Sequence, residues 1–377
     1  MEMKTKIYHG KDCILQLKEI NLQRAFIICD PFLIQSGNVD FVTEVLKEQG
    51  ASIQIFGEVV PDPTILVVTK AIDEMLVFQP DGVIAFGGGS AIDTAKAVCH
   101  ISSKMGEKNH IPLIAIPTTS GTGSEVTSFS VITDPKEQAK YPLTDPNMVP
   151  DMALLDPQFT LSVPPHVTAD TGMDVLTHAL EAYASVNAND FTDAHAEKAM
   201  KLVFAHLETV VKNGDDFEAR MHMHNASCLA GIAFEETSLG ICHSMAHALG
   251  GHFHIAHGKS NAMLLPHVIS YNAGLEESGE SKTLERYAEV AASLGIYGAT
   301  KKSAVLMLIK HIKSLMKKIG IPQYITEAGV EREEYIEAVR SMSVKAMEDR
   351  CTRTNPRLPD ENGFEMLYMR LIKGGYS

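Results

Sequence analysis

Short apolar runs recur along the first 160 residues or so: "RAFIICD" (24–30), "ASIQIFGEVV" (51–60), "DGVIAFGGG" (81–89), "IPLIAIPTT" (111–119) and "MALLDP" (152–157). Each has the length of a strand, and most are nearly continuous in apolar residues, the pattern of a strand buried on both faces. The stretches between them are helix-length, so strand and helix alternate and the sheet is expected to be parallel. After "SVPPHVTAD" (162–170) the strand signals stop. Ala, Leu, Met, Glu and Lys take over at spacings of 3 and 4, as in "TDAHAEKAMKLVFAHLETVV" (192–211), and predict amphipathic helices. Pro164-Pro165 marks the change, because neither residue can donate to a ladder or a helix. The expectation is an α/β domain with a parallel sheet over residues 1–163 and an all-helical domain over 164–377.

Composition agrees with two globular lobes: 377 residues, 45% hydrophobic and 21% charged. With 33 Lys+Arg against 47 Asp+Glu the net charge is −14, and no basic block is present to follow a phosphate backbone, so nucleic acid is excluded as a partner. The start, "MEMKTKIYHGKDC", has no apolar core of a signal peptide, and no run approaches the ~20 apolar residues of a membrane span. A cytoplasmic protein without a membrane partner is expected. Cys13, Cys29, Cys99, Cys228, Cys242 and Cys351 are widely spaced with no C-x-x-C pair, which fits reduced thiols and gives them no function.

The first lobe carries two turns suited to a dinucleotide. In "AFGGGSAIDTAK" (85–96) a strand runs into three glycines and then a helix, whose first amides favour an anion. The G-x-G-x-x-G fingerprint is absent because Ile92 takes its last glycine, and there is no G-K-[ST] of a P-loop. In "IPTTSGTGSEVTS" (116–128), Thr118, Thr119, Thr122 and Ser124 offer hydroxyls beside Gly121 and Gly123 after another strand. Asp30, closing "RAFIICD", either accepts from ribose hydroxyls and repels a 2′-phosphate, favouring NAD(H), or only caps a turn with Pro31.

The second lobe gathers histidine. Seven of sixteen lie between His222 and His257, and "GICHSMAHALGGHFHIAHG" (240–258) alone holds five. His243 and His247 are four apart on one face of a helix expected to end at Gly250-Gly251, and His252, His254 and His257 follow. In "TGMDVLTHALEAY" (171–183), Asp174 and His178 are also four apart, beside an apolar stripe of Met173, Leu176, Leu180 and Tyr183. A carboxylate with two or three neutral imidazoles suits Fe(II), Zn(II), Mn(II) or Co(II). Spacing favours His243 with His247 as ligands but does not decide among the five. His222, His224 and His267 read as structural, and the H-E-x-x-H of zinc proteases is absent because Ser244 stands at its glutamate.

These motifs together, with "ALLDP" and the tail "CTRTNPR" (351–357), resemble the iron-containing (group III) alcohol dehydrogenases almost end to end. "KYPL", "SVPP", "DFTDAHAEKAMKLVF" and "MHNASCLAGIAF" are similar to the propanol dehydrogenase branch used in bacterial propanediol utilisation. The resemblance implies a dinucleotide-binding α/β lobe, a helical metal lobe and a cleft between them. It implies metal ligation by Asp174, His178, His243 and His257, and makes His247 a proton relay, correcting the spacing argument. It puts Gly87, Gly88, Gly89, Ser90 and Asp93 at the cofactor phosphates, and Thr118, Thr119 and Thr122 along the dinucleotide. Asp30 falls at the adenosine ribose and Lys140 towards the nicotinamide. The activity implied is NADH-dependent interconversion of a short aldehyde and a primary alcohol, propanal and 1-propanol foremost, with ethanol, lactaldehyde, 1,3-propanediol and butanol dehydrogenases as family alternatives. Iron comes from the resemblance, since Zn(II) binds such an N/O set at least as well. A homodimer, formed through the "KTKIYHG" strand, and a place inside a bacterial microcompartment are further implications. The competing readings are a dehydroquinate-synthase-like metal lyase, against which Asp174-x-x-x-His178 weighs, and a non-catalytic scaffold, against which the two phosphate turns weigh.

Overall fold

The computed structural model describes residues 3–106, 110–135 and 139–373, with backbone alone at 139 and 140. The chain divides into two compact units, Met1–Val163 and Pro164–Ser377. In the first, β1 (Lys6–His9), β2 (Arg24–Cys29), β3 (Ser52–Phe56), β4 (Gly82–Gly87), β5 (Leu113–Pro117) and β8 (Met152–Leu155) form one sheet in the order β1-β8-β5-β4-β2-β3. Every neighbouring pair is parallel. The helices α1 (Pro31–Gln35), α2 (Asn38–Glu48), α3 (Ile65–Phe78) and α4 (Gly89–Lys104) supply the crossovers.

The continuous apolar runs are explained by the two faces they serve. Ile27, Ile84, Phe86, Ile114 and Leu154 pack on one face with Val42 and Leu46 of α2. Phe26, Ile28, Val83, Ala85 and Ala115 pack on the other with Val68 and Ile72 of α3 and Ile92 and Ala95 of α4. Successive strand residues point to opposite sides, so a sheet covered twice needs apolar residues at both parities. The run 51–60 is strand only to Phe56. A hairpin of β6 (Phe129–Asp134) and β7 (Ala139–Thr144) is antiparallel and separate from the sheet, and nothing in the apolar pattern announced it.

The second unit is helical: α5 (Pro165–Ala184), α6 (Asp190–Lys212), α7 (Phe217–Thr237), α8 (Ile241–Phe253), α9 (His257–Asn272), α10 (Lys282–Ser293), α11 (Lys301–Lys318), α12 (Arg332–Glu348) and α13 (Glu361–Met369). Pro165 opens α5 at its first turn, where a missing N–H costs nothing. Helix α5 packs against α6, α7 and α9, and is buried on nearly every side, not only along the stripe read from the sequence. Helix α8 does not end at Gly250-Gly251. It continues to Phe253 and stops at His254, which takes the left-handed conformation at φ 55°. Gly250 is tolerated inside the helix because the chain doubles back there: a Cβ would stand 3.0 Å from the Ile255 carbonyl oxygen. No described helix is long and apolar enough to cross a membrane, and all six cysteines are free thiols.

Candidate active site

The strand order locates a ligand site in the first unit. From β2 the chain goes to β3 on one side and then to β4 on the other, so the adjoining ends of β2 and β4 form a switch point, the place where open parallel sheets bind ligands. Asp30 follows β2, and Gly87, Gly88 and Gly89 join β4 to α4. Gly88 caps α4 without a side-chain hydrogen bond, leaving the first amides and the positive end of the dipole to an anion. The glycines also admit the second turn: a Cβ on Gly88 would stand 3.2 Å from Thr119 Oγ1, and one on Gly89 2.7 Å from Thr122 Cγ2. The Thr118 amide donates to the Gly87 carbonyl at 3.0 Å. Gly87, Gly88, Gly89, Ser90, Thr118, Thr119 and Thr122 are therefore gathered at one end of the sheet.

Asp30 does cap α1, its Oδ1 accepting from the Leu33 amide at 3.2 Å. Its other oxygen lies 3.5 Å from where a Gly87 Cβ would be, so one carboxylate caps the turn and still borders the glycines. Asp93 accepts from Ser124 Oγ at 2.6 Å and from the Val131 amide at 2.9 Å, which ties the second turn and the hairpin to α4. Lys140 stands in β7 opposite Thr133, and its side chain lies outside the described residues.

Sequence reasoning missed two buried groups here. Lys96 is fully buried and donates to Ser124 Oγ, Thr127 Oγ1 and the Phe129 carbonyl at 2.9–3.0 Å. Glu125 is also buried, and burial pushes its carboxyl up to about 7 against a backbone hydrogen bond and the charge of Lys96. Below the ordinary value of 4.5 both folded and unfolded chains hold this proton; between 4.5 and about 7 only the unfolded chain releases it. Stability therefore falls across that window, by about 3 kcal/mol. Urea unfolding of Glu125→Gln at a series of pH values should show the variant gaining on the parent chain over this range, whereas parallel curves would refute the shift.

The second unit brings Asp174, His178, His243 and His257 together, with one ligand atom of each within 4.8 Å of all the others. Helix α5 supplies the first two on one face, α8 the third and the first residue of α9 the fourth. His243 Nε2 lies 3.7 Å and His257 Nε2 3.6 Å from Asp174 Oδ1, and His178 Nε2 4.0 Å from Oδ2. Gly258 lets α9 start this close: a Cβ there would stand 2.1 Å from the Asp170 carbonyl oxygen. Burial lowers His243 to about 4, against the charge of Asp174, so the imidazole is neutral. His257 is likewise pushed down, to about 3, because neighbouring groups crowd its ring although 41% of its side chain is exposed. Burial raises Asp174, but His178, His257, His243 and a hydrogen bond from Asn261 Nδ2 at 2.8 Å outweigh it and keep the carboxylate ionised. His247 is not one of the four; its ring stacks on that of His257, 5.3 Å between centroids, and its Nδ1 lies 2.8 Å from Asp349 Oδ2.

Comparison with known proteins decides the family. Residues 4–157 match the iron-containing alcohol dehydrogenase model, and residues 168–372 the C-terminal model of the Fe-containing alcohol dehydrogenase family. The chain is 44% identical to the 1-propanol dehydrogenase PduQ of Citrobacter freundii over 98% of this chain and 99% of that protein. Among solved structures, the iron-containing alcohol dehydrogenase of Thermococcus thioreducens superposes with a TM-score of 0.90 at 32% identity, covering 98% of this chain and 99% of that one. The sulfoacetaldehyde reductase of Bifidobacterium kashiwanohense, in complex with NAD+, superposes with a TM-score of 0.86 at 28% identity, covering 98% and 97%. The chain belongs to the iron-containing alcohol dehydrogenase family.

As an iron-containing alcohol dehydrogenase it is an oxidoreductase acting on alcohols, and its second unit fits a divalent ion. His243 Nε2 is buried with no hydrogen-bond partner among the described residues. At 3.7 Å from Asp174 Oδ1 it is too far to bond that oxygen. Two ligands on one ion, each at about 2.1 Å, stand roughly 3.4 Å apart, close to the spacings found. The set of one carboxylate and three imidazoles has the borderline character such ions take. Glu181 completes it: burial pushes its carboxyl up to about 7 against the hydrogen bond from the Cys242 amide to Oε1 at 2.7 Å, and as a carboxylate its Oε2, 2.5 Å from His243 Nδ1, accepts that N–H and leaves Nε2 as the donor atom. Glu181→Gln is expected to weaken metal affinity 10- to 100-fold, roughly the effect of losing such a partner. Chelator competition measures it, and unchanged affinity would deny Glu181 this part.

Glu181 was legible, since 174, 178 and 181 follow the i, i+4, i+7 rule of one helix face, and Asn261 stands four after His257. Asp349 carried no local signal, being 102 residues from His247.

Proposed function

We propose that this dehydrogenase reduces a short aldehyde with NADH, propanal to 1-propanol foremost, and oxidises the primary alcohol in reverse. The observation that carries it is the convergence of Asp174, His178, His243 and His257 on one point, and the 44% identity over the whole chain to a 1-propanol dehydrogenase supports the substrate. Those four side chains hold Fe(II), or Zn(II) where it is supplied. The ion contributes Lewis acidity towards the substrate oxygen, and NADH contributes the hydride.

The chain's own residues do the rest. Asp174 contributes the one negative charge among the ligands, and Glu181 holds His243 in the ligating tautomer. Gly87, Gly88, Gly89 and Ser90 cradle the pyrophosphate, Thr118, Thr119 and Thr122 bind along the dinucleotide, and Asp93 keeps the second turn in place. Asp30 accepts from the adenosine ribose and disfavours a 2′-phosphate, while Lys140 serves the nicotinamide side. His247 exchanges the proton at the substrate oxygen. The same reading makes the protein a cytoplasmic homodimer formed along the edge strand β1, working with other enzymes inside a microcompartment; co-sedimentation with shell proteins tests the last point.

The decisive experiment is a panel of aldehydes from two to four carbons with NADH and NADPH, alongside metal analysis. NADH should be consumed most efficiently with propanal by the iron-loaded protein, and no aldehyde-dependent consumption with metal bound would overturn the reading. In parallel, His257→Ala should lose metal and activity together, and His247→Ala should lose turnover with metal retained. Full metal in both would refute the ligand assignment.

A further inference from the structure

Asp349 lies where two elements meet. It follows α12, and its carboxylate caps the 3-10 turn Arg350–Thr354, Oδ1 accepting from the Cys351 amide at 2.8 Å. Ser244 Oγ, on the same helix as His247, donates to Oδ1 at 3.4 Å and lies 2.8 Å from Thr352 Oγ1. The cap and the neighbouring hydroxyl hold Oδ1 on the side away from His247. Its remaining oxygen, Oδ2, is 2.8 Å from His247 Nδ1. Burial raises the Asp349 carboxyl, but the His247 hydrogen bond and charge and the Cys351 amide hold it well below the ordinary carboxylate range. An ionised carboxylate only accepts, so the hydrogen between them sits on Nδ1.

We propose that Asp349 is a positioning residue for the alcohol dehydrogenase reaction, holding His247 in the Nδ1–H tautomer so that Nε2 is the nitrogen that exchanges the proton with the substrate oxygen. This inference rests on the proton-relay reading of His247. In the reducing direction the Nε2–H bond breaks and the O–H bond of the alcohol forms as the carbon takes hydride from NADH. The imidazole that remains carries its hydrogen at Nδ1, still bonded to Asp349, and Nε2 regains a proton from water, to which 42% of the side chain is open. A ring with the opposite tautomer would present an N–H where an acceptor is needed for alcohol oxidation, and would face the carboxylate with a lone pair.

Asp349→Asn separates this part from a structural one, because asparagine caps a helical turn as well as aspartate does. Melting temperature and metal content should stay at the parent values. The amide can donate to Nδ1 and move the ring hydrogen to Nε2, so kcat for propanal reduction should fall ~100-fold or more, with KM changed less than about threefold. The double variant His247→Ala/Asp349→Asn should be no slower than His247→Ala, because Asp349 acts only through that ring. Asp349→Asn with parent kcat, or multiplicative losses in the double variant, would overturn the positioning part alone. His247→Ala with parent turnover would overturn the relay and this inference together. A direct readout needs no substitution: in the Zn(II)-loaded enzyme labelled with 15N-histidine, His247 should be protonated at Nδ1, and a hydrogen on Nε2 with Nδ1 bare would refute the proposal.

Discussion

Asp174→Ala is expected to leave the protein folded and unable to retain iron, with turnover lost at every aldehyde. The carboxylate is only 4% exposed and bonded by Asn261, and its two oxygens lie 3.6–4.0 Å from the ring nitrogens of all three histidines. It is the only carboxylate among the four groups, so without it the ion would face three imidazoles alone. Losing an outer partner of a ligand costs 10- to 100-fold in affinity, and losing the charged ligand itself should cost roughly 1,000-fold or more. Because metal bound only to the folded chain stabilises it by about 4 kcal/mol at 1,000 times its dissociation constant, chelation should lower the melting temperature of the parent and leave that of Asp174→Ala unmoved. Iron bound stoichiometrically by the variant would sink the assignment.

Lys96→Met should destabilise the first unit by about 3–5 kcal/mol, the usual consequence of removing one member of a buried, hydrogen-bonded charge cluster. Methionine keeps the length and volume but donates nothing to Ser124, Thr127 or the Phe129 carbonyl. It also withdraws the positive charge that offsets burial at Asp93 and Glu125, two carboxyl groups on the same turns. Since Ser124 and Asp93 join the second turn to α4, NADH binding should weaken along with stability. Urea unfolding and NADH fluorescence titration check both, and a variant within about 0.5 kcal/mol of the parent would mean that Lys96 is not the anchor of this loop.

The main strands could be read because a sheet buried on both faces demands apolar residues at both parities, a requirement local enough to survive as unbroken runs. The hairpin β6–β7 escaped because it stands outside the sheet and lacks those runs. The end of α8 was misplaced for a related reason. A glycine pair normally signals a stop, yet here Gly250 is needed where the helix passes the returning chain, and His254 makes the turn.

At the cluster around Asp174 the sequence by itself determined the chemistry available, an aspartate and a histidine four apart on one helix and a dense run of imidazoles after it. Helical periodicity couples neighbours on one face, and so it made Asp174 with His178 readable and also made His243 with His247 attractive. Spacing left that choice open, the family resemblance implied it, and the tertiary structure is what places Asp349 against His247 and brings His257 to the other three. That choice depends on a reversal of the chain between α8 and α9, and on a carboxylate 102 residues away. A periodic pattern fixes which side chains share a face; which of them meet a common point is set by helices packing against one another, and no single segment contains that information.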